Sequence, residues 1–154
     1  MTGRRVIAAL AACVLSAAAA FAADANMGTW KLNEAKSKIS AGAPKNTMVV
    51  YEMVSDSVKV TVTGVDADGK PTHNEWTGKF DGKDYPVTGD PAADMRAYTR
   101  VDDHTLALTQ KKGGKVMATG KIVVAADGKS RTVTTSGTNA NGEKISTSTV
   151  YDKQ

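Results

Sequence analysis

Five glycine-bearing turns set the rhythm of this chain. They read Asp66-Ala67-Asp68-Gly69-Lys70, Asp81-Gly82-Lys83, Lys112-Gly113-Gly114-Lys115, Asp127-Gly128-Lys129 and Asn141-Gly142-Glu143. Asp-Gly and Asn-Gly tolerate the positive φ that tight hairpins demand, so each turn marks a place where extended chain doubles back. The pieces between them are strand-length and rich in Thr and Val, with no helical stretch among them. The cadence predicts an antiparallel all-β protein.

The first 22 residues stand apart. Arg4 and Arg5 precede an apolar run from Val6 to Ala20, and Ala20-Phe21-Ala22 has the small-x-small pattern of a cleavage site. Residues 1–22 therefore read as a signal peptide and 23–154 as one domain. An uncleaved transmembrane helix is the alternative, since the run approaches the ~20 residues that span a bilayer. The Ala-rich end and the cleavage pattern favour removal. Leu10-Ala11-Ala12-Cys13 resembles a lipobox, which would put a lipid anchor at Cys13. The short apolar stretch before Cys13 and the apolar residues after it argue against that.

Removing the leader changes the bulk properties. Of the net charge of +4, the leader contributes Arg4 and Arg5 and no acid, which leaves +2 for the mature chain. Mild positive charge mixed with acids, without an Arg-rich run interleaved with aromatics, gives no nucleic-acid signature. The single Cys13 leaves with the leader, so the domain is expected to hold no disulfide and no Cys-based metal site. A periplasmic or secreted monomer follows as the expectation.

Strand patterning is clearest at Ser57 to Val65, where Val58, Val60 and Val62 alternate with Lys59, Thr61 and Thr63. Further strands are expected at Met27–Leu32, Thr47–Val54, Thr72–Phe80, Met95–Val101, His104–Lys111, Lys115–Val124, Ser130–Gly137 and Lys144–Asp152. Pro86 makes Asp84–Thr88 a short edge or bulge piece. Asn33 to Asn46 reads as a polar connector with room for one helical turn around Glu34 to Lys38. An open meander of this length would expose two edges, which closure removes. The expected fold is an up-and-down barrel of about eight to ten strands, with a two-sheet sandwich as the alternative.

Two resemblances follow from particular residues. Gly28-Thr29-Trp30-Lys31-Leu32 resembles the G-x-W opening strand of the lipocalin and fatty-acid-binding-protein superfamily, and Val150-Tyr151-Asp152-Lys153 is similar to the closing strand of its fatty-acid-binding branch. The resemblance implies a lipocalin-like barrel in which Trp30 plugs one end under a late-strand Arg, for which Arg131 is the nearest candidate. The connector after Trp30 is too short for the two-helix lid of the fatty-acid-binding branch. Gly28 to Lys38, Asp81 to Gly89 and Val150 to Gln154 also resemble a family of small exported bacterial proteins of unknown function.

Candidate binding residues are few. Arg96, Tyr98 and Arg100 alternate along one strand and share a face. Facing inward, two guanidinium groups around a phenol suit a carboxylate, and the set looks like the Arg-Tyr clamp of fatty-acid-binding proteins. Facing outward, they are solvated and Met95, Ala97, Thr99 and Val101 fill the core; the rarity of unpaired buried Arg favours this second orientation. Trp76, Tyr98 and Arg100 are the residues expected to line a ligand site. The aromatics Trp30, Tyr51, Trp76, Phe80, Tyr85, Tyr98 and Tyr151 read first as core.

Catalytic and metal chemistry finds little support. His73 and His104 lie far apart, Asp102-Asp103-His104 reads as turn chemistry, and Asp66-x-Asp68-Gly69 lacks the Glu at the twelfth position of a calcium loop. His73 and Glu75 share a face but have no nucleophile beside them. There is no Gly-x-Ser-x-Gly and no phosphate-binding Gly loop. The chain is expected to be non-enzymatic, without cofactor or metal. Two readings stay open: a barrel that binds a small amphipathic or hydrophobic molecule, and a filled barrel that acts through its surface as an envelope or inhibitor-type module. An open lumen lined by Trp76, Tyr98 or Arg100 favours the first; a packed interior favours the second. Intact-mass measurement of the exported protein is expected to show a chain that begins at Ala23; a mass that retains residues 1–22 overturns the leader assignment.

Overall fold

The computed structural model describes residues 24–138 and 142–154. The expected leader, with Arg4, Arg5 and Cys13, lies outside the described residues, as does Asn141 of the last turn. Ten strands follow one another: β1 (Gly28–Lys38), β2 (Lys45–Val54), β3 (Ser57–Val65), β4 (Pro71–Gly78), β5 (Tyr85–Thr88), β6 (Met95–Asp102), β7 (Thr105–Lys112), β8 (Lys115–Val124), β9 (Ser130–Thr138) and β10 (Lys144–Lys153). Each pairs antiparallel with its chain neighbours, and β1 pairs with β10, so the meander closes into a barrel. No helix occurs among the described residues. The barrel expected from the turn cadence is what forms, and the sandwich is excluded.

Alternation along the strands explains why they hold. In β3 the inward Val58, Val60 and Val62 are buried while Lys59, Thr61 and Thr63 sit on the half-exposed outer face. Opposite them, Val49 pairs with Val62 and Tyr51 with Val60 in β2, and Trp76 pairs with Val60 in β4. These cross-strand neighbours start the core, which continues through Leu106, Leu108, Ile122 and Val124 on β7 and β8.

The connector 33–46 differs from expectation. Instead of a polar link with a helical turn, β1 continues to Lys38 around a bulge, since its partner register jumps from Asn33–Val150 to Lys38–Ser148. Side chains replace the interrupted ladder. Ser37 Oγ donates to the Asn33 carbonyl at 2.7 Å and accepts from Val150 N at 2.8 Å, while Asn33 Oδ1 accepts from Lys36 N. Short polar residues that bond their own backbone make the bulge possible and disguise the strand.

The two ends of the barrel differ. At the end where β1 begins, the inward Trp30, Tyr51, Arg131 and Tyr151 are all buried. At the other end, the inward positions of β2, β4, β7, β9 and β10 carry the small or polar Thr47, Thr72, Gln110, Thr135 and Thr147, each half-exposed. We call these the floor and the mouth. Gly64 lies on the wall near the mouth, where a Cβ would collide with the Lys45 carbonyl oxygen across the β2–β3 bulge. Replacing Gly64 with Ala forces these strands apart and is expected to destabilise the fold by about 2–4 kcal/mol, read as a shifted urea midpoint at unchanged m-value. An unshifted midpoint overturns the close-packing account.

Candidate functional site

The floor is built from the first two strands and the last two. Trp30 of β1 is fully buried, and its Nε1 donates to the Asn26 carbonyl at 2.9 Å. The Arg131 guanidinium of β9 lies 4.8 Å from the Trp30 ring centre, as the G-x-W resemblance implies. It also lies 4.8 Å from Tyr51 and 5.2 Å from Tyr151, and is 2 % exposed. Three aromatic faces around one guanidinium partly offset the cost of burying its charge. No carboxylate pairs with Arg131 among the described residues, and its Nε and Nη1 find no acceptor. Lys153 also stands over the Trp30 ring, with Nζ 5.2 Å from its centre.

Above the floor sits an aromatic cluster. Tyr98 of β6 packs edge-on against Trp76 of β4 at 4.7 Å, and against Tyr51 and Phe80 at 6.3 and 5.7 Å. Trp76 stacks with Phe80 at 6.4 Å and meets Tyr85 edge-on at 5.7 Å. Its Nε1 donates to the Arg96 carbonyl at 2.8 Å, which satisfies the polar edge of a buried indole.

The orientation of β6 corrects the solvated reading of its arginines. Arg96 and Tyr98 point inward, each 3 % exposed, while Met95 and Val101 face out, Val101 being 56 % exposed. Arg96 is tolerated inside because it has partners that are distant in sequence. Its Nη2 donates to Asp90 Oδ2 at 3.1 Å and Asn74 Oδ1 at 3.2 Å, although its Nε has no acceptor. Arg100 shares that face but emerges at the floor rim, where it is exposed, pairs with Asp24 and stands 5.6 Å from the Phe80 ring.

Of the residues expected to line a ligand site, Trp76 and Tyr98 therefore come together in the interior and Arg100 stands apart at the rim. Arg96 belongs with them more closely than Arg100 does, and Arg131 joins through Tyr51. The sequence marked Arg131 only through the G-x-W resemblance. Elsewhere, Asp102 Oδ1 accepts from His104 N at 2.8 Å, the turn expected there, and His73 Nε2 lies 3.2 Å from Glu75 Oε1 on the outer face. No cluster of three His, Cys, Asp or Glu able to hold a metal occurs among the described residues. Two open grooves of about 480 and 350 Å³ lie along β8, β9 and β10, beside Ala118, Gly120, Gly137 and Ile145.

Charge inside the barrel is coupled. Burial works against the Arg96 cation, but the nearby Tyr98, Asp90 and Tyr51 outweigh it and raise its pKa. Burial pushes the Tyr98 phenol well above its ordinary 10.0, helped by the neighbouring Tyr51, with Arg96 and Arg131 pulling the other way. Burial raises Tyr151 as well, against the pull of Arg131.

No family model matches this chain, and no curated protein matches it. Among solved structures it is similar to a redesigned β-barrel, mFAP1, bound to DFHBI, at 16% identity and a TM-score of 0.47, over 84% of this chain and 95% of that one. The barrel assignment stands on the strand pairing of the chain itself.

The tyrosines predict an alkaline limit. Folded Tyr98 keeps its proton at pH values where the unfolded chain has lost it, so above about pH 10 the unfolded state binds fewer protons and stability falls. Denaturation curves are expected to show unfolding free energy level between pH 7 and 9 and declining beyond about pH 10, with a shallower decline in Tyr98→Phe. An equal slope in the variant overturns the assignment to Tyr98.

Proposed function

We propose that the mature domain is an exported, non-enzymatic binding barrel for a small amphipathic molecule with an anionic group. The observation that carries this reading is Arg131, a buried guanidinium with unaccepted N–H groups and no carboxylate partner among the described residues. Burying such a charge is costly unless something anionic shares the site at some stage of function. Arg96, with its free Nε, offers a second contact, and Trp76, Tyr98 and Tyr51 supply the apolar wall that small-molecule sites need. Toward the mouth the inward positions carry small or polar side chains, against which the remainder of the ligand would lie.

Export rests on the Arg4-Arg5 leader and the small residues at Ala20 and Ala22, and on the resemblance of Gly28 to Lys38 and Val150 to Gln154 to small exported bacterial proteins. A second reading, a filled barrel that works through its surface, is favoured by the close packing of Trp76 against Tyr98 and Phe80. Arg131→Met separates the two. Met fills a similar volume without charge, so the variant is expected to match or exceed the parent in melting temperature. Native mass spectrometry of protein purified from the periplasm should show a small bound mass in the parent and its loss in the variant. A clean apo mass in repeated parent preparations, or a mass retained by Arg131→Met, overturns the anion reading.

A further inference from the structure

The wall of the barrel is uneven at β5. This strand is four residues long and contains Pro86, which cannot donate to a ladder. It meets β4 at Glu75–Thr88 and Trp76–Val87, and β6 at Tyr85–Arg96 and Pro86–Met95. Two pairs on each side contrast with nine between β2 and β3. Toward the floor, the chain after β4 pairs directly with β6: Asp81 bridges Thr99, Gly82 N donates to the Tyr98 carbonyl and Arg100 N to the Phe80 carbonyl. Toward the mouth β4 and β6 diverge, and residues 83–93 fill the wedge between them.

Besides its few ladder bonds and the Val87 N–H donated to the Asp94 carbonyl at 3.0 Å, that wedge is held by side chains. Arg96 binds Asp90 within it and Asn74 outside it, Lys111 pairs with Asp84 at 2.7 Å, and Thr88 Oγ1 reaches the Glu75 carbonyl at 3.5 Å. Its inner surface presents Val87 and Ala93 to the core and the edge of Tyr85 to Trp76. Gly82 precedes the wedge at φ 78° and Gly89 lies inside it at φ 79°, positions where the backbone can turn without a Cβ in the way. Few ladder bonds, polar pins and a glycine at the entry mark a unit that opens at lower free energy than the ladders around it.

We propose that residues 83–93 are a hinged flap in the barrel wall, pinned through Asp90 to Arg96, and that its opening admits a small anionic amphiphile sideways to Trp76, Tyr98 and Arg96. This rests on the binding reading given above and adds the route. An entering anion competes with Asp90 for the Arg96 guanidinium, so engagement of the ligand head releases the pin that holds the flap shut. The route also explains how a ligand reaches aromatic rings that are fully enclosed when the flap is seated.

The test is a reversible staple. Glu75 and Thr88 face each other across β4 and β5, so Glu75→Cys with Thr88→Cys places two thiols within disulfide reach. In a Cys13→Ser background no other thiol is present. Pro86→Cys with Met95→Cys staples the other side, and Val50→Cys with Thr61→Cys, between β2 and β3, is the control. Hydrogen exchange of the unstapled protein is expected to be about a hundredfold faster in residues 83–93 than in β2 and β3. The probe is 1-anilinonaphthalene-8-sulfonate, an anionic aromatic amphiphile. Oxidising a flap staple should slow its association by about tenfold or more, with recovery on reduction and no effect from the control. Exchange in 83–93 as slow as in β2 and β3, or association unchanged in both oxidised flap staples, overturns the proposal. If the probe binds neither stapled nor unstapled protein, the binding reading falls and the route with it, while fast exchange in 83–93 still establishes a moving wall.

Discussion

The rest of this barrel depends on the burial of Trp30 at its floor. Trp30 lies on the first strand and Arg131 on the ninth, so their contact ties the beginning of the meander to its end, where β1 must find β10 for the sheet to close. Tyr51 on β2 and Tyr151 on β10 complete the box around the guanidinium, which draws four strands to one point. The Trp30 indole N–H bonds to Asn26 in the segment before β1, so the chain that enters the barrel also seals its floor. Loss of a fully buried Trp costs about 3–5 kcal/mol, a large part of the stability of a domain this size. Without that closure the first and last strands become free edges.

The contact with Arg131 puts a charge where an ordinary core would put a methyl group. A second cation, Arg96, lies further along the interior and is matched by Asp90. Aromatic rings hold Arg131 in place, Asp90 and Asn74 hold Arg96, and some N–H groups of both stay unaccepted. A barrel needing stability alone is served better by apolar residues at such positions, because a buried ion costs more in desolvation than its contacts return. The interior thus carries a polarity that the fold does not require, and the proposed binding of an anion would make use of it.

Strands were most legible in the sequence where inward and outward positions alternate without interruption, as in β3. They were not legible where the ladder breaks. The bulge of β1 hides behind Asn33, Ser37 and the polar residues between them, because their side chains supply the hydrogen bonds that define the segment. The candidate site was partly legible. Alternation places Arg96, Tyr98 and Arg100 on one face, but a period of two does not say which face is the interior. That choice rests on Asp90 and Asn74, which reach Arg96 only after β4, the wedge and β6 have assembled. Arg100, identical in residue type and on the same face, ends at the rim beside Asp24 because the barrel stops there.

By itself, then, the amino-acid order determined an antiparallel all-β chain of about eight to ten strands, the turns that separate them and the residues that travel together on a face, since these follow from local backbone preferences and a two-residue repeat. Tertiary structure decided that β1 closes on β10, that two arginines lie inside, and that β5 sits between β4 and β6 as a loosely fastened wedge. Those outcomes depend on contacts between residues far apart in the chain. Their energies exist only once the sheet has curled and brought the partners within reach.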